Sequence, residues 1–428
     1  MKTHLSKLAL GAASMFLVTS AFAYQDLDDR LDALEKGMQE ISARNPQGTI
    51  GAGFTTARPN TVGNNWFLFG DLLYWHAKMG GTEFAITYNP SDFLAVPPII
   101  PPVALTHRPG GDYKENDFGW DLGLKVGLGY KTPHDSWDVL ARYTWFQSHS
   151  TKQSRKDFPA AIIPLKLSTG LSAGFSAVNH AKSTVDIGYN NVDLELARSY
   201  FISKNFAIKP HLSLKGSWID LKQKVHYVQT RNPDFLSILF EFEGPDFKAN
   251  LKSNFWGVGP RIGADTKYYI GNNVNFFGDF AASILYGHFK TSEHDSIPNA
   301  VIGGLVPPDV AQQLQQLLDI GLSAPNRSLK HDFHQFVPFA QMQLGLEWNK
   351  FINGNKQHIR LKAGYEVQYY WRANQMGDLG DRADALAITG VTLDPISISA
   401  VTRGRHQNDH GSKDLMFYGI TAEARLDF

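Results

Sequence analysis

No cysteine occurs anywhere in the 428 residues. Disulfide bridges, thiolate catalysis and cysteine-ligated metal sites are therefore excluded. Past the first two dozen residues, no stretch holds the ~18 to 20 consecutive apolar residues that a membrane-spanning helix requires. That removes helical spans but not strands, because a barrel strand carries apolar side chains only at alternate positions. An excess of one charge is lacking too. The 41 Lys and Arg offset 41 Asp and Glu, so no long-range field invites nucleic acid or another polyanion. What the chain does have is 12% aromatic residues and 38 glycines, a composition suited to strands and turns.

The amino terminus reads as a secretory signal. Lys2 and Lys7 frame and precede the apolar "LALGAASMFLVTS", and Ala21, Phe22 and Ala23 form an A-x-A cleavage site, which marks 1–23 for removal before Tyr24. In 24–44, Leu27, Leu31, Leu34, Met38 and Ile41 are spaced 4, 3, 4, 3, the a/d seam of a coiled coil. The seam covers little more than two heptads and Gly37 interrupts it. Two readings stay open: a periplasmic coiled coil joining protomers, a homotrimer being one outcome, or a lone amphipathic helix or flexible leader. Residues 45–64 are a Gly/Pro/Thr/Asn linker.

From residue 65 onward one pattern recurs. In "GWDLGLKVGLGYK", Trp120, Leu122, Leu124, Val126, Leu128 and Tyr130 alternate with Asp121, Gly123, Lys125, Gly127 and Gly129. Side chains on a strand alternate faces, so one face is hydrocarbon with an aromatic ring at each end. The two rings lie ten residues apart, about the span of a tilted transmembrane strand. "KQHIRLKAGYEVQYYWR", "FAIKPHLSLKGSW", "SWDVLARYTWF", "FWGVGPRIGADTKYYI" and "VNFFGDFAASILYG" behave alike. A soluble sandwich also alternates, but it rarely brackets its apolar face with Trp and Tyr while loading the other with Lys, Arg, Asp and Glu.

Short joins at Thr132–Asp135, Ser203–Asn205, Gly271–Asn273 and Asn353–Lys356 alternate with long joins at 80–116, 150–182, 230–248, 290–331 and 374–411. This asymmetry predicts an all-β, transmembrane antiparallel barrel of ten strands with short periplasmic turns and long external loops. Counting apolar pieces inside the loops as strands, notably Phe93–Leu105 and Ala160–Phe175, gives 12–16 instead; the other reading makes them plugs folded into the mouth. "PPDVAQQLQQLLDIGL" (Pro307–Leu322) reads as a short amphipathic helix at the mouth. The closing "YGITAEARLDF" carries Tyr418, Ile420, Ala422, Ala424, Leu426 and Phe428 on one face. It is expected to pair with the first strand, near "NWFLFGDLLYWH", and so remove the sheet edge.

Several of these segments resemble one family. "FGWDLGLKVGLGYKTPHDSWDVLARYTWF", "NFWGVGPRIGADTKYYIGNNVNFFGDFAASILYGHF", "HIRLKAGYEVQYYW" and the terminal strand are similar to the Legionella-type major outer membrane proteins, a family also found in Chlamydia-like bacteria. The resemblance runs through almost the whole exported chain. It implies a pore-forming barrel of the outer membrane, exported through a cleaved signal. It also makes the terminal Phe428 look like the signal by which the barrel-assembly machinery recognises its clients. Major outer membrane proteins of the classical chlamydial type are cysteine-rich and cross-linked; this chain, with no cysteine, does not carry over that envelope role.

The functional expectation rests on the inward face. Lys125, Arg142, Lys209, Lys215, Arg261, Arg360, Lys362 and Arg425 share it with Asp121, Asp138, Asp265, Asp279, Glu347, Glu366 and Glu423. Charges inside a barrel imply water or a paired network, since in hydrocarbon each costs several kcal/mol. Ten strands leave little room, so a narrow or plugged channel of weak ion selectivity is expected, passing ions and small hydrophilic solutes, with outer-membrane lipid around it. No cofactor is called for. An enzyme at the outer rim is the rival, with His149 beside Ser148 and Ser150, His288, and the set His331, Asp332 and His334 as its candidate groups; an adhesin or surface antigen is a third class. "HDFH" at 331–334 fits a solvated loop better than a metal site. "GVGPRIG" misses the spacing of a nucleotide loop, and Gly257, Gly259 and Gly263 are better explained as inward small residues.

Overall fold

The computed structural model describes residues 65–88, 112–132, 137–156, 161–166, 178–203, 205–228, 240–242, 246–271, 273–296, 300–302, 326–353, 356–376, 385–393, 396–403 and 412–428. The signal, the heptad segment, the linker, Phe93–Leu105 and Pro307–Leu322 lie outside the described residues.

Ten long strands build the molecule: β1 (Trp66–Met79), β2 (Trp120–Lys131), β3 (Trp137–Arg155), β4 (His180–Arg198), β5 (Phe206–Val228), β6 (Asp246–Gly271), β7 (Val274–Ser296), β8 (Asn326–Ile352), β9 (Gln357–Asn374) and β10 (Lys413–Asp427). Each pairs antiparallel with the next in sequence, and β10 pairs with β1. The sheet is a closed up-and-down barrel. Its seam runs from Phe67 opposite Asp427 to Met79 opposite Leu415. Beyond it, Trp66 and Phe428 exchange backbone bonds of 3.2 and 2.9 Å. No edge is left for hydrocarbon to meet.

The short turns fall on the side that also holds the start of β1 and the end of β10. At β2–β3, Thr132 N donates to the Trp137 carbonyl at 2.7 Å and its hydroxyl accepts from Trp137 N at 3.0 Å. At β6–β7 and β8–β9, Asn273 and Asn353 adopt positive φ, which asparagine tolerates better than most residues.

The outer surface carries the apolar belt. Leu68, Leu72, Leu122, Leu124, Leu128, Leu194, Leu212, Leu214, Ile262, Ile284, Leu346 and Ile420 are all exposed. On β2 the belt runs from Trp120 to Tyr130, about 25 Å of height for a strand tilted like those of outer-membrane barrels.

The strands do not stop at the belt. β6 has 26 residues and β8 has 27, more than twice the ~9–11 that a tilted membrane-crossing strand needs. The ends of 150–182, 230–248 and 290–331, expected as loop, are therefore strand: β3 continues to Arg155, β7 to Ser296, and β8 starts at Asn326. The physical reason is that alternation persists there. The outward residues change from Leu and Trp to Lys, Asn and Ser, while the inward ones stay buried, apolar on β6 at Phe247, Ala249 and Leu251 and polar on β7 at Thr291, Glu293 and Asp295.

The interior is packed. Short strands Ala85–Tyr88, Asp112–Lys114 and Ala161–Pro164 form a small sheet. Phe84, Ala85, Ile162 and Val178 join a buried cluster with inward residues of the wall such as Leu73, Trp75, Phe146, Ile219 and Phe339. Tyr227 and Gln223 fasten this sheet by donating to the Phe84 and Thr82 carbonyls at 2.6 and 3.1 Å. The described part of Ala160–Phe175 is thus a plug and not an eleventh wall strand.

Candidate functional site

All fifteen charged residues singled out in the sequence sit on the inner face of the wall, buried or half-buried. They are not spread along an open channel; the structure gathers all but Asp121 into linked ion pairs. Nearest the short-turn end, Asp427 takes Lys131 at 2.5 Å and Arg425 at 2.5 Å. Next, Arg360 pairs with Glu423 at 2.5 Å, Lys267 with Glu347 at 2.5 Å, and Lys362 with Asp279 at 3.1 Å. Lys209 reaches Asp138 at 3.1 Å, Arg261 reaches Glu195 at 3.4 Å, Arg142 reaches Glu195 at 3.8 Å, and Lys215 reaches Asp193 at 3.6 Å. Asp121 accepts from Ser148 at 2.6 Å.

Lys125 and Glu366 form the most enclosed of these pairs. Their charged atoms are 2.6 Å apart, and the carboxylate is wholly buried. Glu366 also accepts from Gln341 at 2.9 Å, Gln368 at 2.7 Å and Thr421 at 2.8 Å. Thr421 accepts from Trp75 Nε1 at 3.1 Å, and the Lys125 ammonium lies 5.0 Å from the Trp75 ring centroid. A buried charge persists only when so satisfied.

Just outward of this pair, aromatic rings cross the lumen. Tyr189 on β4 reaches Gln368 and Tyr370 on β9, both at 2.9 Å, and Phe417 stacks against it with centroids 4.9 Å apart. Sequence reasoning missed this layer. Its signal was in "WFLFGDLLYW": Phe67, Phe69, Leu73 and Trp75 are as apolar as the lipid-facing Leu68, Leu72 and Tyr74 between them. A strand apolar on both faces is one buried on both. Gly127 and Gly129 of β2 lie on the short-turn side of the Lys125–Glu366 pair, beside a second cluster of Phe67, Phe69 and Leu140. A Cβ at Gly127 or Gly129 would come within 2.3 Å of Phe69 or 2.0 Å of Phe67, so the room these glycines leave is taken by rings.

The rim candidates separate. Ser148 and Ser150 point inward, whereas His149 points outward. The imidazole meets Asp186 at 2.6 Å and the Thr151 hydroxyl at 3.1 Å. The order hydroxyl, imidazole, carboxylate resembles a catalytic triad, but it lies on an open wall with the His149 side chain 61% exposed. Among the described residues no cleft excludes water from it. His331 and His334 are in β8, not in a loop, and their spacing of three puts them on opposite faces, which rules out a shared metal ion. His288 meets His334 with the rings tilted by 51° and centroids 4.7 Å apart. Ligand atoms of Glu195, His211 and Asp265 lie within 4.8 Å of one another. Lys209, 3.9 Å from both carboxylates, already supplies the cation there.

A closed barrel with an apolar belt, aromatic ends and a charged interior defines an outer-membrane β-barrel protein. The chain belongs to the family described as Legionella pneumophila major outer membrane protein precursor, which matches residues 59–428. Among curated proteins no sequence relative is found. Among solved structures it is similar to the outer membrane protease OmpT from Escherichia coli (10% identity, 89% of this chain and 99% of that chain, TM-score 0.35). It is also similar to the P. putida toluene transporter TodX (8%, 85% and 89%, 0.25) and to a Pseudomonas aeruginosa FadL homologue (8%, 85% and 89%, 0.24). These likenesses are distant, and no activity is carried over from them.

Proposed function

We propose that the protein is a narrow, gated pore of the outer membrane and not an enzyme, passing ions and small hydrophilic solutes when its lumen loosens. The observation that supports this is the composition of the inner wall over the belt: paired charges from Asp427 to Glu366 set among the rings. The pairs are linked, Glu195 lying within reach of Arg142, Lys209 and Arg261, so a charge that leaves one partner has another of the same sign beside it. The ring layer and the plug sheet set the resting state, which is shut. The packed lumen also favours a second reading, a surface barrel that does not conduct. Single-channel recording in planar bilayers separates the two: small, voltage-dependent steps support the pore, and silence over the full voltage range supports the closed surface barrel.

A further inference from the structure

Outward of the belt, the wall facing away from the lumen changes character on β4, β5 and β6. The last aromatic row joins Asn190, Trp218 and Trp256 across these strands. Two rows further out Lys222 stands directly opposite Lys252, and beyond them Lys224 faces Thr184 and Asn250, and His226 faces Lys182 and Lys248. All five lysines are exposed. Like charges directly opposed on a sheet are destabilising, so the Lys222–Lys252 pair calls for an anion.

The five lysines outnumber the carboxylates that the wall sets among them. Three carboxylates share this face: Asp186, directly opposite Lys222, is engaged by His149 at 2.6 Å, Asp246 by His226 at 2.9 Å, and Asp220 stands one row nearer the belt between Gly188 and Asn254. Among the described residues none of the five lysines makes an ion pair. A cleft of about 300 Å³ opens between Lys182, Lys224, Lys248 and His226. Lys222 lies about 13 Å along the strand from Trp218, at the rise of an extended chain. Since indole rings mark the membrane interface, this is head-group height, directly above the lipid-covered Leu212, Leu214 and Val258.

We propose that Lys182, Lys222, Lys224, Lys248 and Lys252 bind the phosphate groups of a phosphorylated glycolipid in the outer leaflet. Its acyl chains lie against the leucines and tryptophans below, while the lysines take the head group through charge-assisted hydrogen bonds. The site is on the outside of the wall and independent of conduction.

The test uses the full exported chain, folded in mild detergent, and labelled bisphosphorylated lipid A followed by anisotropy. The native protein is expected to bind it at least about tenfold more tightly than dephosphorylated lipid A, with affinity falling as salt rises. Lys222→Gln, Lys224→Gln and Lys252→Gln together should remove that preference, and the corresponding arginine variant should keep it. Heat-modifiable gel migration verifies that each variant is folded. Equal affinity of the native protein for the two lipids overturns the proposal even if no variant folds. So does unchanged affinity in the folded glutamine variant, or complete displacement of the lipid by millimolar inorganic phosphate, which would mark a site for free anions.

Discussion

The hydroxyls of Tyr189 and Tyr370 lie 2.9 Å apart, although their strands, β4 and β9, stand five places apart in the ring of ten. Two side chains from opposite walls therefore meet in the middle. A barrel of this strand number is narrow enough for inward side chains to fill it, and here the two phenols do so at one level.

Conduction should respond to that contact. Replacing both tyrosines with alanine removes the bridge and leaves a cavity beside Phe417 and Gln368, at a stability cost of several kcal/mol. The expected outcome is a larger unitary conductance in planar bilayers than the native protein gives, with heat-modifiable migration retained. Identical conductance in a folded double variant would show that the obstruction lies elsewhere.

The Lys125–Glu366 pair should behave as a buried pair with coupled substitutions. Lys125→Met leaves a carboxylate with no counter-charge in a site closed to water, and is expected to cost about 3–5 kcal/mol. Adding Glu366→Gln removes the stranded charge, so the double variant should be more stable than Lys125→Met alone. Urea unfolding of the reconstituted protein measures the cycle, and additive effects would contradict the coupling.

A pH effect is expected at the outer end of β4, well beyond the membrane belt. Partial burial, then the neighbouring His226, Arg155 and Lys182, hold the His180 imidazole below its ordinary 6.5. A value lowered in the fold means that the folded state binds this proton less readily than the unfolded chain. The resulting stabilisation is present above the unfolded value and is lost as pH falls through the folded one; it is small because the ring is largely in water. An NMR titration of the His180 ring should show a midpoint below that of a free histidine, and Lys182→Gln should move it upward.

The wall was legible in the sequence because alternation is a local property. Trp120 to Tyr130 declares its lipid face without reference to any other strand, and the terminal pairing of Phe428 with Trp66 follows from the need to close an edge. The ten-strand count comes from turn chemistry, the short joins carrying residues such as Asn273 and Asn353. What was not legible depends on partners distant in sequence. Nothing near Tyr189 says that Tyr370 will face it, and nothing near Lys125 names Glu366, 241 residues away. The true length of β6 and β8 was hidden for a different reason. Above the lipid the outward residues turn polar, and a strand polar on its outer side looks like a loop when only the membrane pattern is sought.

The tall strands have one more consequence. Above the belt the wall encloses its own hydrophobic centre of Val185, Ile187, Leu221, Phe255, Phe289 and Val337, so that storey is built as a water-soluble protein would be. The lower storey anchors and the upper one displays. The outer ends of the tall strands stand clear of the surrounding lipid, and a large visitor arriving at the cell meets a raised collar before it meets the bilayer.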